Sequence, residues 1–225
     1  ATFFVLGRAA ADAPELVRAI HAAGHEIGTH GFDHGFVYRM RTDQFAADLR
    51  RSIELLGALT GEPVQGHRAA FFSVTRRCPW AFEILSRHGI RFDSSVFPVH
   101  NYRYGIPEAP RGIHWAVPGL AEFPVSTVRL LGTNLPVAGG AYFRLLPYWV
   151  TRLALRRVNA AGEPAAFYLH PWELDPAQPR PRLPRRVALT HYHNLDATAT
   201  RLRRLLRDFR FAPMGQVLAE RGWLG

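Results

Sequence analysis

Two histidines four residues apart, His30 and His34, stand in the run Gly24-His25-Glu26-Ile27-Gly28-Thr29-His30-Gly31-Phe32-Asp33-His34. On one turn of helix or in a tight loop this spacing puts both imidazoles on one side, where each can give a nitrogen to a single divalent metal. The chemistry implied is hydrolytic, because a bound ion activates water and polarises a carbonyl. An isolated HxxxH also occurs as two polar residues of a surface loop, so other segments must support it. The neighbouring His25-Glu26 invites an HExxH metalloprotease reading, but the next histidine lies five residues on. At that spacing side chains diverge by roughly 140° on a helix, and Gly24 and Gly28 oppose a helix there. His25 is therefore read as structural, and Glu26-Ile27-Gly28 as a short strand that delivers His30 at its end.

Three further polar residues take the same kind of position. Pro63-Val64-Gln65-Gly66 reads as a strand ending at His67-Arg68, Ile90-Arg91-Phe92 as one ending at Asp93, and Ala165-Ala166-Phe167-Tyr168-Leu169 as a buried strand ending at His170. Between them lie helical patterns. Asp12 is read as the cap of a helix with Pro14, Leu16, Val17 and Ile20; Thr42 begins one striped by Phe45, Leu49, Ile53 and Leu56; others span Thr75 to His88 and Pro147 to Val158. The opening Ala1-Thr2-Phe3-Phe4-Val5-Leu6 reads as another buried strand, and a further strand is expected around Glu122-Phe123-Pro124-Val125. Strand and helix alternation implies a parallel α/β fold. In a β/α barrel the carboxyl ends of the strands form one rim, so His30, Arg68, Asp93 and His170 are expected to converge there.

Composition narrows the class. With 225 residues, 48% of them hydrophobic, and no Ser/Gly linker or repeat, the chain reads as a single domain over residues 1–225. No apolar run reaches membrane-spanning length, and the lone Cys78 excludes an internal disulfide. The net charge is +10, yet all 28 basic residues are arginine. Arg201, Arg203, Arg204 and Arg207 alternate with Leu202, Leu205, Leu206 and Phe209 as the solvated face of a packed helix, so no nucleic-acid partner is expected.

His30-x-x-x-His34, Gly66-His67-Arg68-Ala69, Phe92-Asp93-Ser94-Ser95 and Leu169-His170-Pro171-Trp172-Glu173 resemble the successive motifs of the polysaccharide deacetylase, or NodB-homology, family. Ala1 to Gly7, Asp93 to Pro98, Tyr104-Gly105-Ile106-Pro107, Gly139-Gly140-Ala141-Tyr142-Phe143-Arg144 and His170 to Pro176 resemble its subgroup associated with bacterial exosortase and exopolysaccharide loci. The resemblance implies a distorted β/α barrel and a metal-dependent hydrolase that removes N-acetyl groups from a bacterial exopolysaccharide. It implies a divalent metal such as Zn²⁺ on His30 and His34, Arg68 orienting a catalytic base, Asp93 as partner of the acid, and His170 as that acid. Trp172 and Tyr142 would form a flat apolar wall for a sugar ring.

Two departures accompany it. Arg68-Ala69-Ala70 stands where the family usually has Arg-x-Pro, and no Asp or Glu before His30 fits the family's first acidic motif, which holds the base and a third metal-ligating Asp. The expectation is a domain lacking its first β/α unit in this chain, the third ligand lying upstream, and hence a poor catalyst as it stands. The alternatives are an allantoinase-like, metal-independent amidohydrolase of the same superfamily, and a non-catalytic carbohydrate-binding remnant.

Overall fold

Apolar stretches at the start of the chain form the first two strands of a parallel sheet in the computed structural model, which describes residues 1–101 and 103–224. The packing divides the chain into two compact units, residues 1–124 with 212–225, and residues 125–211. Elements are numbered in chain order.

The first unit holds β1 (Thr2–Val5), α1 (Gly7–Asp12), α2 (Pro14–Ala22), β2 (Glu26–Thr29), α3 (Thr42–Thr60), β3 (Gly66–His67), α4 (Trp80–Arg87), β4 (Phe92–Asp93), β5 (His114–Val117) and β6 (Leu120–Glu122). The sheet runs β1-β2-β3-β4-β6-β5, with every pair parallel except the β5–β6 hairpin at the edge. Register places Thr29 beside His67, His67 beside Asp93, and Asp93 beside Glu122. These four form one row on one face, all buried. Helix α3 covers that face with Phe45, Leu49, Ser52 and Leu56, Phe45 meeting the His67 ring edge-on at 6.0 Å. On the opposite face a Cβ at Gly66 would lie 2.3 Å from the Phe92 ring, so the ring occupies the space a larger residue would need.

Two local expectations change here. The helix expected from Thr75 forms only over Trp80–Arg87. Pro79 disfavours helical backbone at Cys78, which is instead buried in a turn closed by its N–H to the Thr75 carbonyl at 3.0 Å. Asp12 ends α1 rather than capping α2, whose capping position is Ala13.

The second unit holds a two-stranded hairpin, β7 (Thr127–Leu130) and β8 (Thr133–Pro136), then α5 (Gly140–Leu145), α6 (Tyr148–Ala160), α7 (Arg185–Tyr192) and α8 (Leu195–Asp208). The strand expected over Ala165–Leu169 is reduced to one bridge, Gly139 to Tyr168. The Ser126 hydroxyl takes the Ala166 N–H at 2.8 Å, replacing a ladder bond. At Gly139, φ is +121° and a Cβ would lie 1.9 Å from the Tyr168 carbonyl oxygen, so only glycine permits the approach. The last helix, α9 (Met214–Glu220), returns to the first unit. It is tied there by Met214 N–H to Thr2 Oγ1 at 2.7 Å and Gly215 N–H to Glu26 Oε2 at 3.1 Å.

Candidate active site

His30 follows the last residue of β2, and its backbone N–H donates to the Val5 carbonyl at 2.9 Å. Its Nδ1–H donates to the Arg68 carbonyl at 2.6 Å, which fixes the tautomer and leaves the Nε2 lone pair available. Burial, partly offset by that hydrogen bond, pushes the His30 pKa down to about 3, so the ring is neutral at physiological pH. The loop beyond it is held from α3. Asp48 accepts the Phe32 and Asp33 N–H groups at 2.8 and 3.2 Å, while Ser52 bonds Thr29 Oγ1 at 2.7 Å and donates to the Gly31 carbonyl at 3.2 Å. Ser52 thus occupies a core position in the helical stripe for a polar reason.

His34 is exposed and has a left-handed backbone, φ +49°. Its ring lies 5.2 Å from that of His30, centre to centre, and 4.4 Å from that of Phe71. Phe71 and Phe72 are also left-handed, at φ +58° and +51°. Such conformations cost non-glycine residues about 1–3 kcal/mol each and cluster at functional sites. Asp33, between the two histidines, is exposed and paired with Arg8.

Arg68 follows β3 and is buried; Nε donates to the Ser94 carbonyl at 3.0 Å and an Nη to Ser94 Oγ at 2.7 Å, with the guanidinium 4.5 Å from the Phe4 ring centre. The Ala69 N–H donates to Ser95 Oγ at 2.7 Å, giving the Arg68-Ala69-Ala70 turn an anchor where the family usually has proline.

Asp93 is fully buried, and its Oδ1 accepts His67 Nδ1–H at 2.7 Å and the Ser95 hydroxyl at 2.7 Å. Burial alone would raise its pKa, but hydrogen bonds and charge from His67 lead a set of contacts that hold it below the ordinary value. Beside it, Glu122 accepts the Val96 N–H at 2.9 Å through Oε1. Burial, then the Asp93 charge, drives its pKa well above the ordinary value. Its buried Oε2 accepts no hydrogen bond, and the Asp93 carboxylate beside it favours the protonated acid. Glu122 and His67 are the partners that strand-end logic did not single out. A cavity of about 10 Å³, room for one water, is lined by His30, Asp48, His67 and Phe45 among others.

In the second unit, His170 precedes a short 3₁₀ turn, Pro171–Leu174. The expected pairing of Asp93 with His170 is replaced: Asp93 engages His67, and His170 Nδ1–H donates to Glu173 Oε1 at 2.9 Å. The reason is local, since a proline-started turn of four residues folds Glu173 back beneath His170. Glu173 is fully buried and its Oε2 accepts Arg144 Nε at 2.7 Å. Burial opposes ionisation there, but hydrogen bonds from His170 and Arg144 hold the Glu173 pKa below the ordinary value. Trp172 stacks on His191 at 4.0 Å and lies near-parallel to His170 at 5.8 Å. Tyr142 is half-buried on α5. Among the described residues, no three His, Cys, Asp or Glu are grouped to hold a metal ion.

Residues 1–92, which carry the His30–His34 pair, match the Polysaccharide deacetylase family. Residues 94–219 match the family described as Domain of unknown function (DUF3473), and the chain belongs to that family. It is 33% identical over 101 residues to a peptidoglycan deacetylase of Helicobacter pylori, covering 45% of this chain and 33% of that protein. It is 34% identical over 61 residues to a peptidoglycan-N-acetylglucosamine deacetylase of Bacillus cereus, covering 27% and 22%. The matched stretches thus span a third or less of these relatives. A structure assigned to the polysaccharide deacetylases, from Mycobacterium smegmatis, superposes with a TM-score of 0.59 at 22% identity, covering 97% of this chain and 70% of that one. A CE4 family pseudoenzyme from Bacillus anthracis superposes with 0.52 at 14% identity, covering 97% and 55%. At these identities the likeness establishes the fold.

Proposed function

We propose that this protein is a metal-dependent deacetylase that hydrolyses N-acetyl groups of a bacterial exopolysaccharide. The observation that carries the reading is the His30–His34 pair. Two imidazoles each binding one tetrahedral ion through a nitrogen at about 2.0–2.1 Å have ring centres about 5 Å apart, and these rings are 5.2 Å apart. His30 meets the chemical requirement as well, being neutral with Nδ1–H engaged and Nε2 left as donor. When bound, a Zn²⁺ or similar ion supplies an activated water and polarises the acetamide carbonyl.

The remaining roles belong to the chain. The Arg68 carbonyl orients His30, and its guanidinium is assigned to orienting the catalytic base. His67, Asp93 and Glu122 brace the strand ends through their hydrogen bonds. His170 donates a proton to the departing amine, and Trp172 with Tyr142 presents an apolar wall to a sugar ring. The exopolysaccharide substrate rests on the resemblance to the exosortase-associated subgroup, and the reaction on the deacetylase relatives. The test is acetate release from N-acetylated oligosaccharides by the full-length protein with Zn²⁺ and after chelation. Turnover that the chelator abolishes and Zn²⁺ restores is expected. Chelator-insensitive turnover would instead support the metal-independent amidohydrolase, and sugar binding without turnover the carbohydrate-binding alternative.

A further inference from the structure

The second unit contains a buried ion pair that the fold alone does not call for. Arg144 and Glu173 are almost wholly buried and meet at 2.7 Å. Burying such a pair rarely gains stability over apolar residues of similar volume, because both charges lose their water. The carboxylate has a second customer, however. Glu173 Oε1 accepts both the backbone N–H and the Nδ1–H of His170, each at 2.9 Å, while the His170 side chain remains half exposed. Arg144 is itself fixed, its Nη1 donating to the His191 and His193 carbonyls at 2.8 and 3.1 Å and its guanidinium lying 5.1 Å from the Trp172 ring centre.

We infer that Glu173, anchored by Arg144, is the positioning residue of His170: it fixes the Nδ1–H tautomer and aims Nε2 outward. The inference rests on the reading of His170 as proton donor. In the step it serves, the imidazolium Nε2–H bond breaks and the proton passes to the amine nitrogen as the C–N bond breaks. The imidazole is left neutral, its Nδ1–H still on Glu173. Glu173 takes up no proton, and Arg144 keeps its carboxylate ionised beside a ring that alternates between charged and neutral. One residue thereby supplies, from within the same 3₁₀ turn, the orienting contact that a base or acid histidine requires.

The experiment compares the full-length wild type with Glu173→Gln and His170→Ala in acetate release across pH, and reads the His170 tautomer in the wild type from imidazole ¹⁵N shifts. Glu173→Gln is expected to lower kcat by roughly 10²-fold or more, leave KM nearly unchanged, and move the alkaline limb of the kcat profile to lower pH. The wild-type neutral ring is expected as the Nδ1–H tautomer. An inactive His170→Ala beside a Glu173→Gln of unchanged pH profile overturns the inference and leaves the acid role standing. A fully active His170→Ala overturns the acid role first. Should Glu173→Gln fail to fold, an Nε2–H tautomer in the wild type overturns the inference by itself.

Discussion

At the scale of single residues, the buried row Thr29, His67, Asp93 and Glu122 makes stability depend on pH in two opposite senses. Glu122 has a folded pKa raised by burial and by the Asp93 charge. Its folded form holds a proton that the unfolded chain has released, so its contribution is largest below the unfolded pKa and is lost as pH rises toward the folded value. Asp93 is shifted downward, burial being outweighed by His67, so its contribution is present above the unfolded pKa and is lost as pH falls through the folded value. Replacing Glu122 by Gln places a donor toward Asp93 and keeps an acceptor for Val96 without the titration. Relative to wild type, Glu122→Gln should gain thermal stability progressively as pH rises from about 4.5, the ordinary value for the carboxyl. Melting curves from pH 4.5 to 8 check it, and a constant difference across that range would contradict the protonated-acid assignment. Asp48 gives a second test at this scale: Asp48→Ala leaves the Phe32 and Asp33 N–H groups without their acceptor. It should cost about 1–3 kcal/mol and weaken Zn²⁺ binding roughly 10–100-fold, measured by urea unfolding and calorimetry.

Among elements, the strands that end in chemistry were largely legible because alternation and turn residues report them directly. His30 and Arg68 follow β2 and β3, and Asp93 closes β4, as the pattern of short apolar runs implied. His170 was placed after a strand that is only one bridge, since Ser126 takes the Ala166 N–H, a contact between segments 40 residues apart that no local pattern encodes. His67, Glu122 and Glu173 were not singled out for the same physical reason. A sequence shows the residue type at a strand end, whereas hydrogen-bond partners across a sheet follow from register, which places Asp93 between His67 and Glu122. Glu173 had a local signal, its i,i+3 spacing to His170 around a proline. Glycine at the bridge can be tested separately. Gly139→Ala adds a Cβ 1.9 Å from a backbone oxygen at φ +121°, so a loss of about 3 kcal/mol or more is expected from overpacking and backbone strain together. A melting temperature within a degree of wild type would contradict the close approach.

For the whole molecule, α9 is the piece that sequence order hides, because its partners in the two strands it supports lie 212 and 189 residues away. Met214 and Gly215 donate to Thr2 and Glu26, and Leu218 is fully buried. Removing residues 212–225 should therefore destabilise β1 and β2, by at least the 2–5 kcal/mol that loss of one buried leucine costs. Hydrogen exchange should report it as faster opening of Phe3 to Val5 and Ile27 to Thr29. No described helix is long and apolar enough to cross a membrane.

The central claim is that His30 and His34 hold the metal on which deacetylation depends. Calorimetric Zn²⁺ titration of the full-length protein, paired with acetate release from N-acetylated oligosaccharides, tests it in wild type, His30→Ala and His34→Ala. Wild type should bind one Zn²⁺ per chain and turn over, and each variant should lose more than the roughly 10–100-fold in affinity typical of an outer-shell partner, with turnover falling in step. Undiminished Zn²⁺ affinity and turnover in both variants would contradict the claim.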